Sequence, residues 1–344
     1  MLKVGLIGIG FMGRGHLENY LRLEQEGFPV KLVALCDVDA AKWEGKFAGG
    51  NIDVGTSAID FSKFNLYSSL TDMLKNEQLD YVDIALPTYL HAEAAIEAMN
   101  AGCHVLCEKP MALSTKQCDA MLEASKKNGK TLMIAQCLRF WPAYEALKDI
   151  VDSNRFGKCV SGYFFRGGST PLWSFEGWIS KKEKSGGALL DQHVHDVDII
   201  HWIFGVPEHV SASGRVIIPG SGYDAVSANY YFADGKVINA QDDWTLNGDF
   251  GFEMNFRVNF EKGIAVLTKD GLLTLYPHDG ATEVVDLRSD IGYYYEIKYF
   301  AECVAAGKPV EQCLPISTRN TIAIAEAEIA SCEAKGAPMK PVLA

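Results

Sequence analysis

The chain has 344 residues, 48% hydrophobic and 22% charged, with 32 lysines and arginines against 44 aspartates and glutamates, a formal net charge of −12. This is the composition of an ordinary globular protein with apolar material for two cores, and the acidity, without a basic run or basic–aromatic stripe, excludes nucleic acid and anionic membrane surfaces as partners. Nine cysteines, odd in number and lacking zinc-type C-x-x-C pairs, exclude a disulfide framework and fit a reducing cytoplasm.

VGLIGI at the amino end predicts a strand, and Leu17, Tyr20 and Leu21 mark a helical face that stops near Gly27. This apolar run is too short, and too soon broken by glycines, to be a signal peptide. No later run reaches the ~20 apolar residues that span a bilayer. Between strand and helix stand Gly8, Gly10 and Gly13. Strand, G-x-G-x-x-G, helix is the context in which glycines grip a dinucleotide. Gly8 permits the tight turn, Gly10 lets the backbone approach a pyrophosphate, and Gly13 lets the helix pack closely. The helix amino end, with Phe11 and Met12, then faces the phosphates. KLVALC is a second strand and ends at Asp37, whose carboxylate suits both hydroxyls of a ribose. Asp37 repels a 2′-phosphate, and Val38 and Asp39 supply no compensating cation. That favours NAD, while Lys42 leaves NADP open.

A polar, glycine-bearing stretch over residues 45–65 follows, and then the strand YVDIALP, ended by Pro87. AEAAIEAMNAG reads as a helix closed by Gly102, HVLCEKP as a strand, Ser114 to Asn128 as a helix and TLMIAQC as a further strand. The βαβ rhythm predicts an α/β, doubly wound parallel sheet over residues 1–138. Over residues 139–344 the pattern changes. After a helix from Ala143 to Val151 comes β-like sequence, clearest where Phe252, Met254, Phe256, Val258 and Phe260 alternate with Glu253, Asn255, Arg257, Asn259 and Glu261. Hairpin signals recur at Asp234-Gly235, Lys262-Gly263, Asp270-Gly271 and Asp279-Gly280. A last helical pattern with Ile322, Ile324 and Ile329 follows Ser317 as its N-cap. This part reads as a mostly β domain with helices on one face.

Two clusters offer chemistry. Glu108-Lys109-Pro110 ends a parallel strand, beyond whose carboxyl end ligands bind. Burial and a nearby oxidised nicotinamide both lower a lysine's pKa, which suits Lys109 to proton transfer with a hydroxyl. Taken alone, the tripeptide reads rather as a surface ion pair in a strand-to-loop turn, because such tripeptides are common. The second cluster runs from Gly186 through Asp191, His193 and His195 to His201-Trp202. On a continuous helix Asp191 and His195 share a face, where a carboxylate and an imidazole can hold a substrate hydroxyl and move its proton. Two alternatives stand beside this: a metal site of His193, His195 and Asp191, and helix residues making structural hydrogen bonds. Trp173 and Trp178, in the loop before this cluster, suit either the apolar side of a sugar ring or packing within the protein.

The ordered set VGLIGIGFMG, Pro87-Thr88 with His91, AGCHVLCEKP, Arg139-Phe140-Trp141-Pro142 and GGALLDQHVHDVDIIHW resembles the glucose–fructose oxidoreductase/inositol dehydrogenase (Gfo/Idh/MocA) family over nearly the whole length. The resemblance implies an amino-terminal Rossmann domain and a carboxy-terminal α+β domain with a large open, mainly antiparallel sheet, the last helix packing back on the first domain. It also implies a nicotinamide cofactor, a sugar, glycoside or cyclitol substrate, no resident metal, and a homodimer or homotetramer. By position, Lys109 matches the lysine that contacts substrate and nicotinamide, and Asp191 and His195 the substrate-binding and acid/base pair. Gly8, Gly10 and Gly13 match the phosphate loop, Asp37 the adenosine-ribose residue, and Glu108 the acidic neighbour of the lysine. Pro87, Thr88 and His91 line the cofactor cleft, and Arg139 and Trp178 are expected at the substrate. His193 departs from the pattern, standing where relatives often carry glycine. The implied activity is hydride transfer between nicotinamide and a secondary alcohol or ketone. The alternatives are glycoside cleavage or isomerisation without net redox change, and a regulator that only binds dinucleotide and sugar.

Overall fold

Six short apolar runs build the first sheet: β1 Leu2–Ile7, β2 Val30–Cys36, β3 Asn65–Tyr67, β4 Tyr81–Ile84, β5 His104–Glu108 and β6 Leu132–Ala135. All pair in parallel, in the order β3-β2-β1-β4-β5-β6. The order reverses between β1 and β4, and doubly wound sheets bind their ligands beyond the carboxyl ends at such a point. Helices α1 Phe11–Gln25, α2 Leu70–Asn76, α3 His91–Asn100 and α4 Thr115–Asn128 make the crossovers. Every residue of β4 and β6 is buried, which is why these strands read as continuous apolar runs. The exception is Asp83 in the middle of β4. The computed structural model describes residues 1–45 and 59–344, so most of the expected polar stretch over 45–65 lies outside the described residues.

Local caps fix the helix ends. The Ser114 hydroxyl accepts from the Gln117 N–H at 3.4 Å, and Gly129, at φ 61°, ends α4. The short α2 is capped by Ser69, whose hydroxyl accepts from the Asp72 N–H at 3.1 Å.

Helix α5 Pro142–Asp152 precedes β7 Cys159–Gly167, and the short α6 Lys182–Ser185 and α7 Ala188–Asp191 lead into α8 Val194–Phe204. Then come β8 His209–Arg215, β9 Ala225–Tyr231, β10 Val237–Asp243, β11 Glu253–Phe260, β12 Gly263–Leu267, β13 Leu273–Pro277 and β14 Glu283–Val284. The strands form one open sheet in the order β14-β13-β12-β11-β7-β10-β9-β8. Only β7 and β10 pair in parallel; the rest is antiparallel. In β11, Phe256, Val258 and Phe260 are buried as the alternation requires, while Met254 stays half-exposed. The rings of Tyr144, Phe164 and Phe256 meet on that face, which α8 covers along β7 and β10.

Two boundaries differ from the sequence expectation. The β11–β12 turn falls on Glu261 and Lys262, because Phe260 pairs with Gly263; a side chain at Gly263 would come within 2.9 Å of the Phe156 ring. The last helix, α10 Pro315–Glu333, starts ahead of Ser317: proline, whose missing N–H costs nothing in a first turn, opens it, and Leu314 O accepts from Ser317. Before it, α9 Gly292–Ala306 is a helix the sequence reading did not anticipate.

The chain divides into two units. The first comprises residues 1–137, 173–178 and 293–319, and the second residues 138–172, 179–292 and 320–344. Among the described residues no helix is long and apolar enough to cross a membrane.

Candidate active site

The glycine loop explains itself through clearance. Gly8 sits at φ 87°, and a Cβ there would lie 2.5 Å from Ala85 O. A Cβ on Gly13 would lie 1.7 Å from Gly8 O, so the start of α1 rests directly on the loop backbone. Above Gly10 nothing lies within 4 Å. That open backbone, at a helix end with no side-chain cap and no acidic residue in its first turn, is what a diphosphate requires. Phe11 and Met12 follow half-exposed, and the Phe11 ring meets Trp173 at 5.0 Å. Asp37 accepts from the Ile9 N–H at 2.7 Å through one oxygen and from the Asp39 N–H at 2.9 Å through the other. It is thereby locked beside the loop, and each carboxylate oxygen keeps a second lone pair for a ribose hydroxyl. Lys42, largely buried, is turned to Asp39 at 3.8 Å. The residues present fit a dinucleotide.

At the end of β5, Glu108 is buried and Lys109 half-exposed, and the Lys109–Pro110 peptide is cis. Glu108 accepts from the Lys109 backbone N–H at 3.0 Å with one oxygen and faces His16 Nε2 at 3.0 Å with the other. The other ring nitrogen of His16 lies 2.9 Å from Asp83, which also accepts from the Tyr20 hydroxyl at 2.8 Å. Burial opposes a charge on His16, yet Asp83 and Glu108 outweigh it and raise the ring well above its ordinary range. Burial likewise pushes Glu108 up, but His16 prevails and holds the carboxyl low. His91 is fully buried, with its ring nitrogens 2.8 Å from Pro110 O and 2.7 Å from Leu86 O, and burial lowers it. It ties together the loops after β4 and β5, where Pro87 and Thr88 form the turn that precedes α3.

In the second unit the segment from Gly187 to His201 is not one helix. After α7 the His193 N–H reaches back to Ala188 O, and α8 restarts at Val194. Asp191 and His195 therefore flank a break instead of stacking one turn apart. They and Gln192 are the half-exposed residues of this stretch; the rest are buried. His193 turns inward. Its Nε2 lies 3.2 Å from Glu328 and 3.4 Å from the Tyr230 hydroxyl, and despite burial the Glu328 charge raises its pKa. Nearby, Arg166 donates to Asp196 at 2.8 and 3.3 Å, and burial pushes Asp242 up to about 8. Arg139 is 1% exposed and donates to both oxygens of Asp198 at 2.8 and 2.7 Å, while Thr321 donates to the same carboxylate. Trp178 is half-exposed in a short helical turn, with Glu176 and Gly177 at left-handed φ.

Sequence reasoning overlooked His16, Asp83 and Glu296. The signals were present: an aspartate within an apolar parallel strand demands a buried partner, and a histidine sits one turn beyond Gly13. What it lacked was the long-range pairing, 67 residues from His16 to Asp83 and 92 to Glu108.

A six-stranded sheet in this order, with a glycine loop of this clearance, defines a dinucleotide-binding Rossmann protein, here joined to a unit built on an eight-stranded sheet. Residues 2–136 match the model described as oxidoreductase family, NAD-binding Rossmann fold, and residues 144–266 the GFO/IDH/MocA C-terminal domain. The chain belongs to the GFO/IDH/MocA oxidoreductase family. It is 30% identical over 205 residues to inositol 2-dehydrogenase of Salmonella typhimurium, covering 59% of this chain and 54% of that protein. It is 28% identical over 247 residues to 2,7-anhydro-N-acetylneuraminate hydratase of Escherichia coli, covering 70% and 61%. The chain thus spans somewhat over half the length of these curated relatives. A structure of levoglucosan dehydrogenase in complex with NADH and levoglucosan superposes with a TM-score of 0.84 over 99% of both chains at 23% identity, a likeness of fold.

Proposed function

We propose that this protein is an NAD-dependent oxidoreductase acting on a secondary alcohol or ketone of a sugar, glycoside or cyclitol. The observation that carries the reading is the glycine loop, open above Gly10 and flanked by a locked Asp37, in a chain that retains Lys109, Asp191 and His195 at the family's motif positions. When bound, NAD supplies the hydride acceptor. The loop from Gly8 to Gly13 and the amino end of α1 hold the diphosphate, and Asp37 accepts from the adenosine ribose. Lys109 Nζ takes the hydroxyl proton during oxidation and returns it during reduction. His195, which with Asp191 flanks the break before α8, is the alternative acceptor. Arg139 enters as the support of Asp198 and Thr321, and Trp178 as a candidate platform for a sugar ring. The carboxylate of Asp37 and the engagement of Lys42 by Asp39 favour NAD over NADP. All nine cysteines are thiols, which supports a cytoplasmic protein. The outer face of the open sheet, with Val160, Tyr231 and Val237 exposed, supports assembly into a homo-oligomer.

A screen of polyols, sugars and anhydrosugars with NAD and with NADP, read as absorbance of the reduced cofactor, tests this. Turnover with NAD is expected, and Lys109→Met should lower it at least ~10²-fold while NADH still binds by fluorescence. Normal turnover in that variant removes Lys109 from the chemistry. A second reading, transient use of NAD without net redox change, is favoured by the similarity to the hydratase. Product formation without accumulated NADH would select it.

A further inference from the structure

Of the buried ionisable clusters that the mechanism leaves unused, one lies directly behind Lys109. Asp83, His16, Glu108 and Glu296 are each at most 4% exposed. Both nitrogens of the His16 ring face carboxylate oxygens, Nδ1 toward Asp83 at 2.9 Å and Nε2 toward Glu108 at 3.0 Å. Ionised carboxylates only accept, so this arrangement is satisfied when the ring donates from both nitrogens and carries a positive charge. Glu108 in turn accepts the backbone N–H of Lys109 at 3.0 Å through its second oxygen. We propose that His16 is a positioning residue: clasped as an imidazolium between Asp83 and Glu108, it fixes the Glu108 carboxylate, which anchors the main chain at Lys109 and sets the charge beside the amine. This rests on the reading of Lys109 as the proton-transfer group.

The surroundings agree. Tyr20 on α1 donates to Asp83, and Tyr81 on β4 stands next to Tyr20. Cys107 on β5 is buried and raised, so it adds no charge. His91 is lowered, which keeps it neutral. From α9, Tyr293 is raised well above its ordinary value by burial first. Glu296 is raised by burial and then by the Glu108 charge, and neither of its oxygens has a hydrogen-bond partner among the described residues. Burial and the Glu108 charge thus both favour the neutral form of Glu296. One cation and two anions remain, and the net negative charge lies against the lysine.

The same donor types, His16, Glu108 and Glu296, are also those of a cation site, and the experiment separates the two. In 15N-histidine NMR of the intact protein, His16 should be an imidazolium at pH 8, where an ordinary histidine is neutral. A neutral ring there overturns the proposal. So does about one equivalent of divalent metal per chain by elemental analysis. With the most active compound of the screen, Glu108→Gln should lower kcat roughly ten- to hundred-fold with KM and the NADH dissociation constant within about three-fold of wild type. It should also move the acidic limb of kcat/KM down by about one pH unit, because an anion beside the amine is lost. His16→Gln should reproduce the kcat loss. Glu296→Gln, which exchanges a neutral acid for a neutral amide, should move neither. If Lys109→Met is inactive while Glu108→Gln and His16→Gln keep wild-type kcat and pH profile, the inference fails alone. If Lys109→Met turns over normally, the catalytic reading itself fails.

Discussion

Each unit buries a set of charged groups, and the two sets are built differently. In the first, Asp83, His16 and Glu108 follow one another in hydrogen bonds of 2.9 to 3.0 Å and end on the backbone of Lys109. In the second, Arg166 grips Asp196 through two bonds, His193 leans on Glu328, and Asp242 is fully buried beside the charges of His193, Asp196 and Arg166. The first set is a line that ends on the main chain at Lys109. The second is a knot that closes on itself, under a sheet face covered by α8. A buried ion pair is weak evidence of stabilisation, because desolvation offsets most of its attraction. What distinguishes the two is where the last hydrogen bond goes.

The largest expected effect breaks the knot. Arg166→Met leaves Asp196 buried without its fork and should cost about 3–5 kcal/mol, read as the shift of the urea midpoint. A loss below ~1 kcal/mol would mean that Asp196 finds another partner and that the pair is not structural. Next comes a pH effect particular to the second set. Asp242 keeps its proton up to about 8 in the folded protein, whereas an unfolded aspartate releases it near ~3.9. The folded state thus holds more protons between those values, and its stability falls as pH rises through that window. Asp242→Asn removes the dependence, so the variant should match wild type near the unfolded pKa of ~3.9 and exceed it at pH 8 by on the order of a few kcal/mol. Parallel melting curves of the two proteins across that range would contradict it. The smallest effect belongs to the line: Tyr20→Phe deletes one donor to Asp83 while His16 remains, for about 1 kcal/mol. A loss near that of Arg166→Met would show that the phenol is integral to the charge arrangement.

The parts legible in the sequence were those governed by neighbours along the chain. Gly8, Gly10 and Gly13 declared the loop, Asp37 its partner strand, Ser114 and Asn128 the ends of α4, and the alternation around Phe256 the face of β11. The failures share a cause. His193 and Arg139 belonged to motifs expected near a substrate, yet both side chains turn inward to Glu328 and Asp198, and side-chain direction is set by packing that no local pattern records. Asp191 and His195 obeyed the four-residue spacing, but the backbone breaks between them at Gln192 and His193. Capping by Ser69 was readable as a helix start, but the polar residues ahead of it obscured α2. Helix α9 was missed because its apolar face packs on residues more than 200 positions earlier, as Phe300 does on Tyr81.

That last contact bears on how the polypeptide is made. The first unit draws on residues 1–137, but also on 293–319, so Tyr81 and the cluster around His16 gain their covering only after residues 293–319 have been synthesised. Until then the nascent sheet lacks that cover, and a polypeptide released at residue 137 would keep its glycine loop yet lack Phe300 and Glu296. Completion of the first unit waits on residues that lie more than 150 positions beyond its last strand.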